Sequence, residues 1–346
     1  MNQKLIDLTN VIREKFKGEL HRPVSEELAI QMTENINPDA IVGLFDAGCV
    51  IAITLIARGH DPAKINVIEK SQDKCYNEFS KSMAKKMGFN QIVPPMGNLN
   101  RIDMKFDVVI GNPPYQNGNH NSTTNSLWKE FLDQSVKMSD RVYLVLPDIA
   151  LAPPTFSKYK NNITQANLDI KKHFPGVGSG FCSLLIEKNP GDSLKIITSD
   201  DEIVTPIGSL NCVPNNFNRE LLGEMGDYLA GNREWRLSYE YESRKKIFTD
   251  GGKYEVLHTS SNGIRRTDVH HPNNDLIRVS VDVSGHPRFH LIHNMGLTQS
   301  HYWTVFDTIE EAQEYVDWGN SEETQSFLKK VKWGGMNSAL IIKNLR

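Results

Sequence analysis

Several features are scarce in this chain of 346 residues, and each absence argues against one class of protein. Its four cysteines lie far apart without a CxxC pair, which argues against a disulfide scaffold and favours a reducing, cytoplasmic setting. No apolar run approaches the about 20 residues that cross a bilayer, and no secretory segment is apparent, so we expect a soluble protein without a membrane partner. A formal net charge of -3 excludes a globally basic, histone-like binder, so any nucleic-acid contact depends on local patches.

The first half of the chain alternates short apolar runs with helical segments. Runs 41–46 and 65–69 have the composition of buried parallel strands, and segment 47–58 between them has helical character. Further strands are predicted at 92–93, 106–110, 141–146, 181–187 and 194–198, the last two as a hairpin, with helices at 72–87 and 127–138. This alternation predicts an α/β fold over residues 1–198, with a Rossmann-like sheet and helices on both of its faces.

Beyond residue 198 the alternation fades, and the composition predicts a second folded module over residues 199–346. Basic and aromatic side chains interleave there as on a nucleic-acid face: Arg233, Arg236, Arg244, Lys245, Lys246, Lys253, Arg265 and Arg266 with Trp235, Tyr239, Tyr241, Phe248 and Tyr254. Segment 262–266 is predicted to be a loop that brings Arg265 and Arg266 to a phosphate or a guanine edge. Glu240 dilutes the patch, and an ordinary solvated charged surface is the alternative.

Histidines are concentrated in the same module, with seven of the eleven between His258 and His301. Segment 288–293 alternates like a strand, and no cysteine lies nearby to complete a zinc site. We therefore predict that these histidines are hydrogen-bonded or face DNA, and that the protein has no metal site.

The most specific pattern is Asn112-Pro113-Pro114-Tyr115, which follows the apolar run 106–111 directly. Asn112 offers a side-chain carbonyl, and Pro113 offers a main-chain carbonyl without an N–H of its own. Tyr115 adds a ring on which a planar base can stack. Two acceptors beside an aromatic face suit methylation of the exocyclic amine of a flipped-out adenine, whereas the structural alternative is a strand followed by a Pro-Pro turn.

A methyl donor such as S-adenosylmethionine needs carboxylates at the ends of the first strands. Asp46 and Glu69 occupy such ends 23 residues apart, close to the usual spacing of a ribose-binding acid, although either carboxylate could instead cap a helix. Gly48 allows close backbone approach, and Asn98 stands where an acceptor for the cofactor's adenine is expected. Val50 and Ala52 occupy two positions of this loop that are ordinarily glycines. Because their side chains take up space, we predict that the cofactor site is narrower than usual.

Together these segments resemble the gamma-class DNA adenine N6-methyltransferases of restriction-modification systems, in order over roughly residues 15–190. Segment 16–23 with the predicted helix 24–36 is similar to the family's N-terminal motif and would place Pro23 near the methionine end of the cofactor. Segment 110–115 matches the catalytic motif in full. The late segment 176–188 is similar to one that often carries an aromatic for stacking on the target base, for which Phe174 and Phe181 are the candidates.

The resemblance implies a class I methyltransferase sheet, S-adenosyl-L-methionine as cofactor, double-stranded DNA as partner and a target-recognition domain at 199–346. It also implies a partner in a restriction system, although no nuclease signature is found and a stand-alone methylase is the simplest interpretation. The sequence predicts no oligomeric state. The alternatives are a protein-glutamine or RNA-adenine N-methyltransferase, and a catalytically impaired scaffold for which Val50 and Ala52 are the main support.

Overall fold

In the computed structural model, the chain divides into two compact units. The first comprises residues 1–150 and 157–210, and the second comprises residues 151–156 and 211–346. The structure describes residues 11–12, 14, 23–46, 49–69, 74–94, 98–115, 127–174, 180–210, 212–229, 231, 233–241, 247–259, 263–332 and 339–345. Within these ranges, no helix is long and apolar enough to cross a membrane.

A nine-stranded sheet organises the first unit, in the order β3-β2-β1-β4-β5-β7-β6-β8-β9. Strands β1 to β5 run parallel to one another, whereas β7 lies between β5 and β6 and runs antiparallel to both. The strands are β1 (Val42–Phe45), β2 (Ile65–Ile68), β3 (Asn90–Ile92), β4 (Val108–Gly111), β5 (Arg141–Pro147), β6 (Ile163–Asn167), β7 (Phe181–Glu187), β8 (Ser193–Ile197) and β9 (Glu202–Pro206). This topology confirms the predicted Rossmann-like sheet of class I methyltransferases.

Helices connect the parallel strands, as the alternating sequence predicts. They are α2 (Val50–Ala57), α3 (Lys74–Met87) and α4 (Leu127–Met138), whereas α1 (Glu26–Thr33) precedes β1 and α5 (Pro153–Tyr159) follows β5. Every residue of β1, β2 and β4 is buried, which explains why these strands are mainly apolar rather than alternating. Their one polar residue, Asn66, donates to the Val42 carbonyl at 3.3 Å. The central strands therefore hold their carboxyl ends, where the candidate residues lie, on a rigid support.

The predicted hairpin of segments 181–187 and 194–198 is wrong. The two strands exist, but β7 pairs along its whole length with β5, and β6 separates it from β8. The sequence of β6, Ile-Thr-Gln-Ala-Asn, lacks the apolar run that marks the other strands, so it gives little signal of a strand. The predicted boundary at residue 198 falls in the turn between the paired strands β8 and β9, and the first unit continues to Leu210.

The second unit contains two small sheets, ordered β10-β16-β13-β14 and β12-β11-β15. Its strands are β10 (Arg236–Leu237), β11 (Tyr254–Thr259), β12 (Gly263–Thr267), β13 (Arg278–Asp282), β14 (Phe289–Ile292), β15 (Met295–Leu297) and β16 (His301–Val305). Its helices are α6 (Arg219–Tyr228), α7 (Ile309–Asn320), α8 (Glu322–Lys330) and α9 (Ala339–Asn344). The strand predicted at 288–293 is confirmed as β14.

A buried ion pair ties the two small sheets together. The guanidinium of Arg278, on β13, contacts the carboxylate of Glu240, and both side chains are almost fully buried. Arg278 also donates to the Met295 carbonyl at 2.6 Å, and Glu240 accepts from the Leu297 N–H at 3.0 Å. Because Met295 and Leu297 belong to β15 of the other sheet, the charged pair fixes how the sheets meet.

This pair corrects the predicted nucleic-acid face. Glu240 lies inside the unit rather than on a charged surface, and Trp235 and Tyr241 are also buried. Tyr239 is exposed, whereas segment 242–246 lies outside the described residues. The interleaved pattern therefore arises partly from a core in which aromatic rings surround a buried charge.

Candidate active site

The backbone of β4 brings Asn112 to the carboxyl end of the central strands. The Asn112 N–H donates to the carbonyl oxygen of Phe45, the last residue of β1, at 2.8 Å. A Cβ atom at Gly111 would clash with that same carbonyl, so only glycine allows the two strand ends to approach so closely. The approach places the residue after β4 beside the end of β1, where Asp46 follows.

Asn112, Pro113 and Tyr115, the residues predicted to form an amine pocket, lie together after β4. Pro113 is buried, and the other two residues are half-buried. The Tyr115 hydroxyl donates to Oδ1 of Asn112 at 2.5 Å and lies 3.4 Å from the carbonyl oxygen of Val145 on β5. Burial raises the pKa of Tyr115 well above its usual range, so its hydroxyl stays protonated near neutral pH and acts as a donor.

Aromatic side chains form one wall of this pocket. The ring centroid of Tyr115 lies 5.4 Å from that of Phe181, and Phe181 lies 5.1 Å from Phe174. Gly180 precedes Phe181, and any Cβ there would clash with the carboxylate of Asp148 at the end of β5. The structure thus brings together the sequence-predicted catalytic residues and both candidate aromatic residues, although Phe174 and Phe181 are largely buried.

Asp46 is buried and caps a helix. Its two carboxylate oxygens accept from the N–H groups of Val50 at 3.1 Å and Ala52 at 2.9 Å, in the first turn of α2. Capping was the alternative role predicted for this residue, and here both oxygens take part in it. Val50 and Ala52 themselves are fully buried in the hydrophobic core of the first unit.

Cys49, the residue before α2, has a strained backbone. Cys49 has φ of 57°, a left-handed conformation that is uncommon for a residue with a side chain. Such strain is concentrated at ligand sites and tight turns. Gly48, the predicted position of close backbone approach, lies outside the described residues.

Glu69 follows β2 and is buried with one oxygen unused. Its N–H donates to the Ile92 carbonyl on β3 at 2.9 Å, and within the described residues Oε1 has no hydrogen-bond partner. Burial raises the pKa of Glu69 to about 7; the Asp46 carboxylate adds to the shift, and Ser80 partly offsets it. A buried carboxylate oxygen without a partner fits a ligand that presents hydroxyl groups, such as a ribose.

The other predicted cofactor residues are less specific. Asn98 is exposed, and its side-chain oxygen accepts from the Asn100 N–H at 3.0 Å, which closes a short turn. Pro23 is buried just before α1, whose cap Ser25 also hydrogen-bonds Nδ1 of His173 at 2.7 Å. The preceding segment 15–22 lies outside the described residues.

The loop predicted at 262–266 is wrong where the structure describes it, because residues 263–267 form strand β12. Gly263, Ile264, Arg265 and Arg266 are all exposed on this edge strand. Arg266 pairs with Glu255 across the hairpin at 2.5 Å, and the Arg265 guanidinium lies 5.2 Å from the ring centre of Phe248. Val, Ile and aromatic residues are not prominent in Gly-Ile-Arg-Arg-Thr, which is why the strand is hard to recognise.

Two features of the chain escape sequence analysis. The Val145 carbonyl is a main-chain acceptor that no side-chain pattern reveals. In the second unit, Nδ1 of the fully buried His301 lies 3.4 Å from Oδ1 of Asp282, and burial lowers the pKa of His301 to about 4. His301 is therefore not a DNA-facing histidine, and the described parts of the chain contain no group of three or more His, Cys, Asp or Glu residues able to hold a metal.

The chain is similar to known methylases over part of its length. Residues 48–167 match the family described as Eco57I restriction-modification methylase. This segment contains Glu69, Asn98 and the whole Asn112–Tyr115 motif. A comparison with curated proteins found no match.

Solved structures of similar fold include proteins described as restriction-modification enzymes and as an RNA methyltransferase. The Type IIL restriction-modification enzyme MmeI in complex with DNA is 8% identical over 96% of this chain and 64% of its own, with a TM-score of 0.46. A modification subunit of a putative type I restriction enzyme from Vibrio vulnificus is 14% identical over 76% and 63%, with a TM-score of 0.41. A putative RNA methyltransferase from Pyrococcus horikoshii is 16% identical over 54% and 99%, with a TM-score of 0.36. Only the family match therefore bears on function, and over residues 48–167 the chain is similar to restriction-modification methylases.

Proposed function

We propose that the chain is a DNA methyltransferase that transfers a methyl group from S-adenosyl-L-methionine to N6 of a flipped-out adenine. The observation that carries this proposal is the amine pocket at the end of β4, where Asn112 and Pro113 lie beside the rings of Tyr115, Phe181 and Phe174. The match of residues 48–167 to restriction-modification methylases supports the same conclusion.

The pocket accounts for the chemistry of a poor nucleophile. The lone pair of adenine N6 is delocalised into the ring, and two carbonyl oxygens that accept its hydrogens draw that density back onto nitrogen. Asn112 and Pro113 are the acceptors, and Tyr115 with Phe181 orients the base. S-adenosylmethionine, when bound, supplies a methyl group on a positively charged sulfur for in-line attack.

Glu69 is the residue that best suits the cofactor. Its unpartnered buried oxygen would accept from the ribose hydroxyls, and it stands at the end of β2, next to β1 in the sheet. Asp46 acts differently: its carboxylate caps α2 and thereby shapes the loop that faces the cofactor. Pro23, Gly48 and Asn98 complete the proposed set of cofactor contacts.

The direct test is incubation of the full chain with radiolabelled S-adenosylmethionine and mixed-sequence double-stranded DNA, followed by nucleoside analysis. We expect label in N6-methyladenine. Parallel reactions contain RNA and a glutamine-bearing protein extract. Label confined to either of these, or no label in any arm, contradicts the proposal.

A methyltransferase-like scaffold without activity is the second candidate. One observation favours it: the Val50 and Ala52 amides at the start of α2 already donate to Asp46, so they are not available to a ligand. Binding of S-adenosylhomocysteine by isothermal titration separates the two candidates, because a scaffold that has lost its cofactor site would show no heat of binding.

Cofactor binding is expected to strengthen as pH rises through 7. The pKa of Glu69 is raised to about 7 in the free protein, and ribose hydroxyls bind best to the ionised carboxylate. Affinity for S-adenosylhomocysteine should therefore increase about tenfold from about pH 6 to about pH 8. Glu69→Gln should bind more weakly and with little pH dependence. Equal pH dependence in both proteins would contradict this role for Glu69.

The same shift has the opposite effect on the stability of the cofactor-free protein. The folded state holds the Glu69 proton more tightly than the unfolded state, because the pKa rises from 4.5 to about 7 on folding. The contribution of Glu69 to stability is complete below the unfolded value and is lost as pH rises through about 7. Urea unfolding at several pH values, compared with Glu69→Gln, measures this loss.

Arg265 and Arg266 are proposed to contact the DNA backbone from the exposed strand β12. Each phosphate contact contributes a slope of about 0.9 to the dependence of log affinity on log salt. We therefore expect the double change Arg265→Ala with Arg266→Ala to weaken DNA binding and to lower that slope by about 2. Arg58→Ala removes an exposed arginine from the first unit and serves as the control. A salt slope equal to that of the control would rule out both contacts.

A further inference from the structure

The acceptor that the proposed reaction requires already has a donor in this structure. The Tyr115 hydroxyl donates to Oδ1 of Asn112 at 2.5 Å. A carbonyl oxygen has two lone pairs, but each donor withdraws density from it. A hydroxyl that stays in place would thus weaken the hydrogen bond that draws density onto the target nitrogen.

Resting on the proposed function, we propose that Tyr115 is a positioning residue whose hydroxyl donates to Oδ1 of Asn112 until an incoming amine replaces that hydrogen bond and the hydroxyl hydrogen turns to the Val145 carbonyl. The pocket then opens by exchange of one donor for another at Oδ1 of Asn112. A base that carries an oxygen in place of the amine has no donor at position 6 and cannot make this exchange there. Tyr115 therefore contributes to discrimination between 6-amino and 6-oxo bases.

The surroundings of Tyr115 allow this exchange without an unsatisfied hydroxyl. The Val145 carbonyl lies 3.4 Å from the hydroxyl oxygen, within reach after a small rotation. A buried hydroxyl that loses one acceptor thus has a second one beside it, which keeps the cost of opening low. The hydroxyl remains protonated in both positions, because burial raises the pKa of Tyr115 well above its usual range.

The ring itself stays in place during the exchange. Phe181 packs on Tyr115 with ring centroids 5.4 Å apart and planes inclined by 34°, and Phe174 supports Phe181 from behind. Gly180 and Asp148 fix the start of β7, from which Phe181 projects. The hydroxyl hydrogen, which turns about the Cζ–O bond, is therefore the mobile part of the residue, and removal of the hydroxyl leaves the aromatic wall intact.

Tyr115→Phe tests the inference, because it keeps the ring and removes the hydroxyl. The probe is a single-stranded oligonucleotide of deoxyadenosine, compared with one of deoxyinosine, with S-adenosylhomocysteine present to fill the cofactor site. Loss of one competing hydrogen bond should tighten binding of the adenine strand by about two- to tenfold, with little effect on the inosine strand. Tyr143→Phe is the matched control, since it removes a buried hydroxyl from β5 that accepts from Gln165.

The inference is overturned if Tyr115→Phe binds the adenine strand no more tightly than Tyr143→Phe does, or if both strands change equally. Failure of the proposed function has a different signature. If the wild-type chain methylates no nucleic acid but Tyr115→Phe still binds the adenine strand more tightly, the role of the Tyr115 hydroxyl is supported and the proposed methyltransferase activity is contradicted. If the wild type methylates adenine, and Tyr115→Phe neither binds the adenine strand more tightly nor methylates it faster, only the inference about Tyr115 is contradicted.

Discussion

Replacement of Asn112 by alanine is expected to lower methyl transfer by at least about 10²- to 10³-fold, the usual effect of removing one preorganised polar group from an active site. The variant keeps the N–H that donates to Phe45, so the backbone connection between β4 and β1 remains. It loses the side-chain amide, whose carbonyl would accept from the target amine and already accepts from the Tyr115 hydroxyl. The rate is measured under single-turnover conditions with labelled S-adenosylmethionine, beside a urea unfolding curve.

Asn37→Ala provides the comparison for this experiment. Asn37 is an exposed asparagine in the loop before β1, and its side-chain oxygen accepts from the Asp39 N–H in a local turn. Its removal should leave methyl transfer unchanged. Near wild-type turnover in a folded Asn112→Ala protein would refute the assignment of Asn112 as the amine acceptor.

The largest effect on stability is expected from Glu240→Ala, which leaves the guanidinium of Arg278 buried without its carboxylate. Loss of one partner from a buried ion pair typically costs about 3–5 kcal/mol, because the remaining charge cannot reach water. Arg278 is fully buried, and the substitution also removes the carboxylate oxygen that accepts from the Leu297 N–H. The free energy of unfolding of the full chain in urea, monitored by tryptophan fluorescence, measures the change.

Glu234→Ala removes a carboxylate from an exposed pair with Arg236, and we expect no measurable change from it. The double variant Glu240→Leu with Arg278→Met should recover much of the lost stability, because an apolar pair of similar volume carries no desolvation penalty. The ion-pair argument fails if Glu240→Ala is as stable as Glu234→Ala, or if the double variant is less stable than Glu240→Ala alone.

Sequence patterns predict the central sheet well because its strands are buried on both faces. Within runs 41–46 and 106–110, residues 42–45 and 108–110 are apolar without interruption, and the structure places strands β1 and β4 there. The polar strand β6 has no such run, and its insertion between β7 and β8 depends on long-range pairing that no local pattern encodes. The hairpin prediction failed for that reason.

In the candidate site, too, some features follow from the local sequence and others depend on the three-dimensional structure. Asn112, Tyr115 and Glu69 were recognisable because their side chains follow strand ends, where open α/β sheets hold their ligands. The use of both Asp46 oxygens by α2 and the Tyr115 hydroxyl bond depend on distances of a few ångströms, which the sequence does not specify. In the second unit, Glu240 was assigned to the surface because a charged residue among basic neighbours gives no sign of burial.

The position of β4 in the sheet has a consequence for how such a protein can change its substrate. Asp46 and Glu69 follow β1 and β2 on one side of β4, whereas Val145 and Phe181 belong to β5 and β7 on the other side. Because β7 runs antiparallel, its first residue arrives at the same edge as the last residues of its parallel neighbours. The strands that would serve the methyl donor and those that would serve the acceptor base thus lie on opposite sides of β4, and Asn112 follows the strand between them. Substitutions around β5 and β7 could alter which base is accepted while the donor half stays constant, as long as the junction at β4 is preserved.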